Sequence, residues 1–466
     1  MHGFFQTILP VYAAMLASLL GMGVFLSLLA QDFWQQSANS IFRGRYLPLV
    51  IILTGLVLRF FWIDWTQPVP ESDFLRHWQH AQAFYNGNFL YTNIERHPGI
   101  MVLSTFAMYL SSPGLWAVWG MNIAFSAVLM LTMYQLALNL FNRTSALIVL
   151  GVLTVHPQFI AYCSLVATEV ASAAYMMLIV WAILYHRNKT PGMWYYAALG
   201  AVITGSILIR STTLLLAGAG ALIVLAQEMP NWRMAFKKVS VTALTAFVLF
   251  MGWCGHQYTL TGSFKPFYGM GLWLASAANA ESGGRNTKIS DLPEYKDIFE
   301  AEKKIKFSSK TQHQVWFHKQ LQKRALEVIM ADPVAYLKLG FVRIKRTVWT
   351  NQTGITWSID ASTIARKHLS QKLTSLIGLI STHSWQVILC LSPLGLLGFF
   401  IKSNRDKDIL LLLTAFIALW AVFHYLLSIA AERYNFQIIP FVFLLTTGGI
   451  NYLLSLAKNR LDFNKA

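Results

Sequence analysis

Charged side chains and cysteines are both scarce in this sequence. Only 12% of the 466 residues are charged while 55% are hydrophobic, and the mean hydropathy is +0.48. A soluble protein could not keep that much apolar surface out of water, so the composition indicates a polytopic membrane protein. The three cysteines, Cys163, Cys254 and Cys390, are widely spaced in or beside apolar segments. No disulfide framework or cysteine zinc motif follows from this spacing.

Other familiar patterns are missing as well. No basic residue precedes the first apolar run, so we interpret the N-terminal segment as a retained span rather than a cleaved signal. The apolar segments contain no continuous row of charged residues, and no internal repeat is visible. Both observations disfavour a transporter. The net charge of +17 does not indicate nucleic-acid binding. The basic residues lie between apolar runs, where membrane orientation and lipid or phosphate contacts account for them.

About eleven apolar segments approach the length of about 20 residues that a membrane-spanning helix needs. The sequence therefore predicts an all-α polytopic membrane protein, with interfacial helices in its first outer loop and a small helical domain on the outer side. The predicted spans are 8–29, 46–63, 115–141, 144–160, 166–185, 194–209, 211–228, 238–258, 376–401, 408–428 and 434–457. The apolar segment 100–112 is shorter and is predicted to be a half-inserted or interfacial helix.

The distribution of Lys and Arg predicts the orientation. If the loop 64–98 faces outward, every short connection on the opposite side carries basic residues, and the positive-inside rule makes that side cytoplasmic. The short connections on the outward side carry few basic residues. The basic residues assigned to the cytoplasmic side are Arg43, Arg45, Arg143, Arg187, Lys189, Arg233, Lys237, Lys238, Lys402, Arg405, Lys407, Lys458, Arg460 and Lys465.

Four regions follow from these spans: an extra N-terminal helix with its linker (1–45), an N-terminal transmembrane catalytic module (46–258), an outer loop domain (259–375) and C-terminal helices (376–466). Segment 259–375 is too long for a plain connection, which predicts a small domain or a lid. Within it, Pro333 is expected to separate two helices. The second helix is amphipathic and carries Lys338, Arg343, Lys345 and Arg346, which either bind anionic lipid or simply extend to the membrane surface.

Ionisable residues at the membrane edge are costly and are therefore candidates for function. In this topology several gather at the outer face. They are Glu71 and Asp73 in the first loop, His97 at its end, Glu169 at the start of a span, Arg210 in a turn between spans, and Arg433 with Tyr434 before the last span. A carboxylate can take a proton from an attacking acceptor, and arginines can hold a phosphate. His77 and His80 lack metalloprotease spacing and are interpreted as bystanders, and His156 and His424 as ordinary satisfied histidines.

With these motifs in order, the chain resembles the C-type (GT-C) membrane glycosyltransferases. It is most similar to the branch of protein O-mannosyltransferases and bacterial aminoarabinose or undecaprenyl-phosphate-sugar transferases. The resemblance covers about residues 46 to 457 and depends on the order of short motifs. They are Asp73 in "SDFLRHWQHAQAFYNGNF", the "RHPG" at 96–99, Thr168–Glu169, Arg210–Ser211–Thr212, and Arg433–Tyr434 ahead of Pro440. The paired acidic motif is "Glu-Ser-Asp" here, so Glu71 remains an alternative to Asp73 as the base.

The resemblance implies an inverting transfer of a sugar from a polyprenyl-phosphate donor to an envelope glycan, lipid or protein. It implies Asp73 as general base, and Arg433 with Arg210 and the basic residues of 338–346 (Lys338, Arg343 and Arg346) as holders of the lipid phosphate. His97 and Tyr434 join the substrate-binding set. It implies one of three roles for Glu169: to position the neighbours of Asp73, to position the sugar, or to hold a metal. No cofactor is required, and a divalent metal would assist without being obligatory. The expected location is the bacterial inner membrane, with the site on the periplasmic side.

Two other classes of function remain open at this point. A flippase for a lipid-linked saccharide would need polar residues along a full path through the membrane. An O-antigen polymerase or ligase also has many spans and a large outer loop, but the Asp in the first loop would matter less to it. Transfer by membranes carrying Asp73→Asn distinguishes these classes from the main hypothesis.

Overall fold

The computed structural model describes residues 7–38, 46–189, 191–228, 231–278, 289–362, 371–397, 404–426 and 431–463, and within these ranges every regular element is helical. The all-α class predicted from the sequence is confirmed. The helices are α1 Leu9–Ala38, α2 Leu47–Thr66, α3 Ser72–Tyr85, α4 Gly99–Leu110, α5 Leu115–Leu140, α6 Arg143–Val155, α7 Pro157–Ala161, α8 Glu169–Asn188, α9 Met193–Ile209, α10 Thr213–Gln227, α11 Trp232–Thr261, α12 Met270–Ala277, α13 Lys296–Lys304, α14 Lys310–Ala331, α15 Pro333–Thr347, α16 Thr353–Asp360, α17 Gln371–Leu397, α18 Asn404–Ala421 and α19 Ile439–Phe463.

Three short helical segments lie beside the candidate site. The 3-10 turn Tyr162–Ser164 follows α7, a π-helical turn Val422–Leu426 continues α18, and the 3-10 segment Glu432–Gln437 precedes α19. Four residues used to orient the chain fall outside the described residues: Arg43, Arg45, Lys402 and Lys465.

Seven helices in the described ranges are long and apolar enough to cross a membrane, and the bent pair α6–α7 makes an eighth when it is counted as one span. Shorter apolar helices include α9, α10 and the apolar part of α19. Each of the predicted spans therefore coincides with an apolar helix, but the total of eleven stays a prediction because these three are short. The 100–112 segment forms α4, which has only 12 residues.

A buried arginine stabilises the break between α6 and α7, where the chain bends by 58°. Arg59 of α2 is fully buried, and its guanidinium donates to the carbonyl of Gly55 at 2.8 Å and that of Leu153 at 2.8 Å. The last carbonyls of a broken helix have no partner within the helix, and a cation at that end also offsets the helix dipole. Arg59 therefore compensates the break that directs the chain towards Glu169.

Two glycines allow helices that support the candidate site to pack closely against each other. A Cβ on Gly200 would lie 2.4 Å from the Thr242 carbonyl oxygen, so α9 and α11 pack almost backbone to backbone. A Cβ on Gly99 would lie 2.7 Å from the Leu208 carbonyl oxygen, which presses the start of α4 against the end of α9. The glycine of "RHPG" thus brings residues 96 and 97 beside Arg210.

The segment from α12 to α14 has an apolar cluster of its own, formed by Ala275, Ile289, Leu292, Tyr295, Ile298, Leu321 and Ala325. We call the part of the chain from α12 to α14 the helical lobe. The predicted break at Pro333 is confirmed, because α14 ends at Ala331 and α15 begins at Pro333. The Asp332 carboxylate caps α15 by accepting from the Ala335 N–H at 2.8 Å. The outer position and independence of this domain stay predictions.

Candidate active site

Six of the predicted site residues line one polar cavity of about 110 Å³. It forms where the start of α3, the loop before α4, the start of α8, the α9–α10 turn, the π-helical turn and the 3-10 segment meet. The six residues are Asp73, His97, Glu169, Arg210, Arg433 and Tyr434. They are separated by up to 361 positions in the sequence, so their convergence is a property of the fold.

Asp73 is held between two arginines. Arg96 Nη2 donates to Asp73 Oδ1 at 2.6 Å, and Arg433 Nη1 donates to Asp73 Oδ2 at 3.1 Å. Burial by itself would raise the pKa of Asp73, but the hydrogen bonds and charges of Arg96 and Arg433 outweigh it and lower the pKa well below its usual range. The carboxylate is therefore ionised at neutral pH, and 28% of the side chain remains accessible.

The residue before Asp73 has an unusual backbone. Ser72 has a φ of +52°, in the left-handed region that residues with a Cβ rarely adopt. Such conformations cost about 1–3 kcal/mol and concentrate at functional sites, where surrounding packing maintains them. The sharp entry into α3 aims Asp73 into the cavity while Phe74 packs on Trp357 with ring centroids 5.0 Å apart.

A second ion pair lines the same cavity. Arg210 Nη1 donates to Glu169 Oε1 at 3.0 Å and to Thr168 Oγ1 at 3.2 Å. The ring of Tyr434 lies beside both site arginines, with its centroid 4.9 Å from Arg210 Cζ and 5.3 Å from Arg433 Cζ. The aromatic ring stabilises two like charges at short range through cation–π contacts.

A buried amide holds the 3-10 segment in place. Gln437 is fully buried, and its Oε1 accepts from Trp420 Nε1 at 3.1 Å and from Thr212 Oγ1 at 3.2 Å. Its Nε2 donates to Ser172 Oγ at 3.1 Å. One side chain therefore joins α18, the α9–α10 turn and α8. A network of this kind is rigid because each unmade bond would leave a buried polar group unpaired.

The loop before α4 is tied to the helical lobe. Glu95 Oε1 lies 2.8 Å from His318 Nε2 on α14, and the hydrogen bond from His318 is the main reason that the pKa of Glu95 is lowered, against burial that raises it. The ring of His97 packs edge-on against Phe267 at 4.0 Å. Burial lowers the pKa of His97 to about 3 and that of His77 to about 4, so both rings are neutral at pH 7.

Four other predicted residues lie away from the cavity. Glu71 is exposed at the N-cap of α3, and Lys338 and Arg346 are exposed on α15. Arg343 faces the protein interior, where its Nε donates to the Tyr425 carbonyl at 2.8 Å and its Nη1 to the Ala277 carbonyl at 2.5 Å. Its guanidinium thus supports the π-helical turn.

The cavity also has lining residues that the sequence interpretation did not select: Glu95, Arg96, Trp273, Phe423 and His424, together with His77. Adjacency to His97 in "RHPG" was the only signal for Arg96. The interpretation of His424 and His156 as satisfied histidines is wrong within the described part of the chain, because neither ring makes a hydrogen bond there. His77 has a partner, the Val166 carbonyl at 3.1 Å from Nδ1. Among the described residues, no three His, Cys, Asp or Glu side chains are grouped to hold a metal.

An apolar groove adjoins the polar cavity. It has a volume of about 490 Å³ and runs between α8, α9, α10 and α11. Ser211 lines both spaces, so they meet at the α9–α10 turn. At the far end the groove is lined by His186, Tyr196 and Lys238. His186 lies about 25 Å from Glu169 along α8 at the usual helical rise, so the groove follows most of a span.

Comparison with solved structures defines the class of fold. The chain superposes on the oligosaccharyltransferase AglB from Archaeoglobus fulgidus, solved with an inhibitory peptide and a dolichol-phosphate, with a TM-score of 0.50 and 12% identity. The alignment covers 91% of this chain and 52% of AglB, so the chain spans about half the length of that enzyme. ArnT from Cupriavidus metallidurans, bound to undecaprenyl phosphate, aligns with a TM-score of 0.43 and 14% identity over 90% of this chain and 80% of ArnT.

Sequence comparison adds a family. Residues 96–256 match the family model described as dolichyl-phosphate-mannose-protein mannosyltransferase. A sequence search among curated proteins gave no match. The resemblance to C-type membrane glycosyltransferases, drawn above from short motifs, is supported by this family match over residues 96–256 and by the similarity of the fold to that of AglB. The matched segment runs from Arg96 of the cavity to His256 of α11, and so includes the start of α8 and the α9–α10 turn.

Proposed function

We propose that this protein is an inverting glycosyltransferase that moves a sugar from a polyprenyl-phosphate donor to an envelope glycan, lipid or protein. The observation that carries the proposal is the junction at Ser211, where a cavity lined by three arginines adjoins an apolar groove. A lipid phosphate needs both surfaces at once: cations for the head group and an apolar wall for the chain. The dolichol-phosphate bound by AglB is a ligand of this chemistry.

Asp73 is the proposed general base. The acceptor hydroxyl or amine gives its proton to the Asp73 carboxylate as its oxygen or nitrogen bonds to the anomeric carbon of the sugar. The bond between that carbon and the phosphate oxygen breaks on the opposite face, and its electron pair leaves with the polyprenyl phosphate. The configuration inverts because attack and departure are in line. Correct positioning supplies much of the acceleration.

The two arginines on Asp73 suggest how donor binding prepares the base. Arg433 and Arg96 each bond the carboxylate, and a donor phosphate competes with it for these same donors. When the phosphate draws an arginine away, Asp73 loses the charge that keeps its proton affinity low. The negative phosphate then raises that affinity further. We therefore propose that the donor binds first and makes Asp73 a stronger base.

Arg210 and Tyr434 complete the phosphate-binding side. Arg210 lies at the α9–α10 turn next to Ser211, where the groove begins, and Tyr434 lies between Arg210 and Arg433. Glu169 keeps Arg210 oriented before the donor arrives, through the 3.0 Å ion pair. We do not assign Lys338 or Arg346 to the phosphate, because both lie on the exposed side of α15.

Catalysis is proposed to need no metal or other cofactor. Each carboxylate of the cavity is paired with a cation or a histidine: Asp73 with Arg96 and Arg433, Glu169 with Arg210, and Glu95 with His318. A divalent ion would have to displace one of these partners. The phosphodiester donor already carries one negative charge, and the arginines stabilise the second charge that develops on the departing polyprenyl phosphate, as a metal would otherwise do.

We propose that the site faces the periplasm from the bacterial inner membrane. Glu169 opens α8 at the cavity, and Arg187 lies near the other end of the same helix. Other basic residues predicted to be cytoplasmic begin helices or lie in their first turns, such as Arg143 in α6 and Arg233 in α11. The positive-inside rule then makes the cavity end extracytoplasmic.

The test uses the purified full-length protein. We expect undecaprenyl phosphate to co-purify with it and to be identified by mass spectrometry of the extracted lipid. We also expect the protein to release undecaprenyl phosphate from a panel of undecaprenyl-phosphate sugars when membrane acceptors are added. If the protein binds these lipids but moves them between leaflets without breaking the sugar–phosphate bond, it is a flippase and the proposal is wrong.

A further inference from the structure

The hydrogen-bonding groups of the cavity are mostly paired with one another, and His424 is the main exception. Both ring nitrogens of His424 are buried without a hydrogen-bond partner among the described residues, although the side chain lines the cavity. His97 Nδ1 and Arg96 Nε, in side chains that also line the cavity, are likewise buried without a hydrogen-bond partner among the described residues. An unpaired buried polar group is costly, so it requires an explanation such as a ligand.

The ring of His424 is fixed rather than loose. It is only 5% exposed and lies between Trp420 and Tyr434, with ring centroids 4.5 Å and 4.8 Å away. Trp420 is anchored to Gln437, and Tyr434 is flanked by the site arginines. The imidazole is therefore held between two aromatic rings, tilted at 45° and 32° to it, whose own positions are fixed.

The backbone at His424 is also specialised. Residues Val422–Leu426 form a π-helical turn at the end of α18. Single π-helical turns shift the following side chains around the helix axis and are frequent at functional sites. The turn is supported from behind, because Arg343 donates to the Tyr425 carbonyl and the Tyr425 hydroxyl bonds Asn435. This turn brings His424 to the cavity wall.

We propose that His424 recognises a hydroxyl group of the donor sugar. The inference rests on the proposed function and deepens it, because it names a side chain that recognises the sugar of the donor rather than its phosphate. A neutral imidazole has one donor and one acceptor, and a sugar hydroxyl likewise donates and accepts. An ionised phosphate only accepts, and the three arginines of the cavity are the donors proposed for it. Trp273 also lines the cavity, and an indole face suits the apolar face of a sugar ring.

His156 provides a matched control. Its ring is 2% exposed, both of its nitrogens also lack a hydrogen-bond partner in the described ranges, and it packs against Phe159 and Phe443. It does not line the cavity. His424→Phe and His156→Phe thus remove the same unpaired groups, and only the first removes them from the candidate site. His424→Gln restores one donor and one acceptor without the ring.

The experiment measures binding of two probes to the full-length protein in detergent: undecaprenyl phosphate alone, and a panel of undecaprenyl-phosphate hexoses and pentoses. We expect His424→Phe to bind undecaprenyl phosphate as the wild type does, and to bind the preferred sugar-bearing donor about 5- to 100-fold more weakly. We expect His424→Gln to recover part of the loss and His156→Phe to bind both probes normally.

The other outcomes separate the two proposals. If the wild-type protein binds neither probe, the proposed function itself is overturned. If the wild type binds both and His424→Phe retains the full preference for the sugar-bearing donor, only the role of His424 is overturned. An equal loss for both probes, in His424→Phe and His424→Gln alike, also contradicts recognition of a sugar hydroxyl, because it indicates a contribution to the phosphate or to packing.

Discussion

Arg433 Nη1 lies 3.1 Å from Asp73 Oδ2, and this ion pair joins the first helix of the first loop to the segment that leads into the last helix. The two residues are 360 positions apart in the sequence. The pair therefore forms only when the two ends of the helical bundle have packed together. It also couples the proposed base to a proposed phosphate-binding residue, so a change at either one alters the other.

The first prediction concerns the base. Asp73→Asn keeps the shape of the side chain and removes its ability to accept a proton, so we expect turnover to fall by about 10²- to 10⁴-fold. Donor binding should persist, because Arg96, Arg210 and Arg433 remain. Initial rates with purified protein, together with the amount of folded protein, measure the effect.

Glu71→Gln is the control for this substitution. Glu71 lies two residues from Asp73 and is exposed outside the cavity, so its neutralisation should leave turnover within about twofold of the wild type. Full activity of both variants at unchanged protein level would mean that neither carboxylate is the base. A loss in Glu71→Gln alone would transfer the role to Glu71.

The second prediction concerns the donor phosphate. Arg433→Ala removes a charged hydrogen-bond donor from a partly buried site, which should weaken binding of undecaprenyl phosphate by about 10- to 100-fold. Arg433→Lys should restore only part of the affinity, because an ammonium cannot form the paired bonds of a guanidinium. Equilibrium binding of the lipid measures both. Arg324→Ala, an exposed arginine paired with Asp297 in the helical lobe, should bind normally.

Much of the fold and part of the site could be predicted from the sequence. Apolar segment length gave the spans, because a bilayer core demands about 20 apolar residues from each helix. Pro333 marked a helix break because proline removes a backbone donor. Six cavity residues were predicted because an ionisable residue at a membrane edge is energetically costly and is therefore a candidate for function.

The remaining features depend on distances that a sequence does not contain. Arg343 carries the same charge as Lys338 and Arg346 on one helix, yet of the three only Arg343 faces inward, where it donates to two backbone carbonyls. Arg96 gained its importance from Asp73, 23 positions away. His424 looked like an ordinary histidine at the end of a span, because no sequence pattern announces a π-helical turn.

The third prediction concerns the pH dependence of kcat/KM, which reports groups of the free enzyme. The pKa of Asp73 is lowered below its usual range, so acidification from pH 8 to pH 5 should not protonate it in the wild type. Arg96→Gln removes one cause of that lowering and leaves the burial that raises the pKa. The acid limb of kcat/KM should therefore lie at higher pH in Arg96→Gln than in the wild type. Arg76→Gln, at an exposed position on the same helix as Asp73, should leave the profile unchanged.

The fourth prediction compares two profiles of the wild type. Because kcat reports the enzyme with donor bound, and the donor phosphate is proposed to draw arginines from Asp73, the acid limb of kcat should lie at higher pH than that of kcat/KM. Parallel measurement of both constants from pH 4 to pH 8 checks this. Acid limbs at the same pH would indicate that Asp73 keeps both arginines in the donor complex, and would contradict release of the base by the donor.

The fifth prediction concerns the contact between the helical lobe and the loop before α4. The pKa of Glu95 is lowered, chiefly by the hydrogen bond from His318, so the pair stabilises the fold above the unfolded pKa of about 4.3 and loses this effect as pH falls through the folded pKa. Glu95→Gln should lower the apparent unfolding midpoint by about 1–2 °C at pH 7.5, and by less at pH 3.5. Glu302→Gln removes the more exposed Glu302–His313 pair within the lobe and should shift the midpoint less, because solvent screens that pair. A difference that grows on acidification would contradict the assigned role of the Glu95 carboxylate.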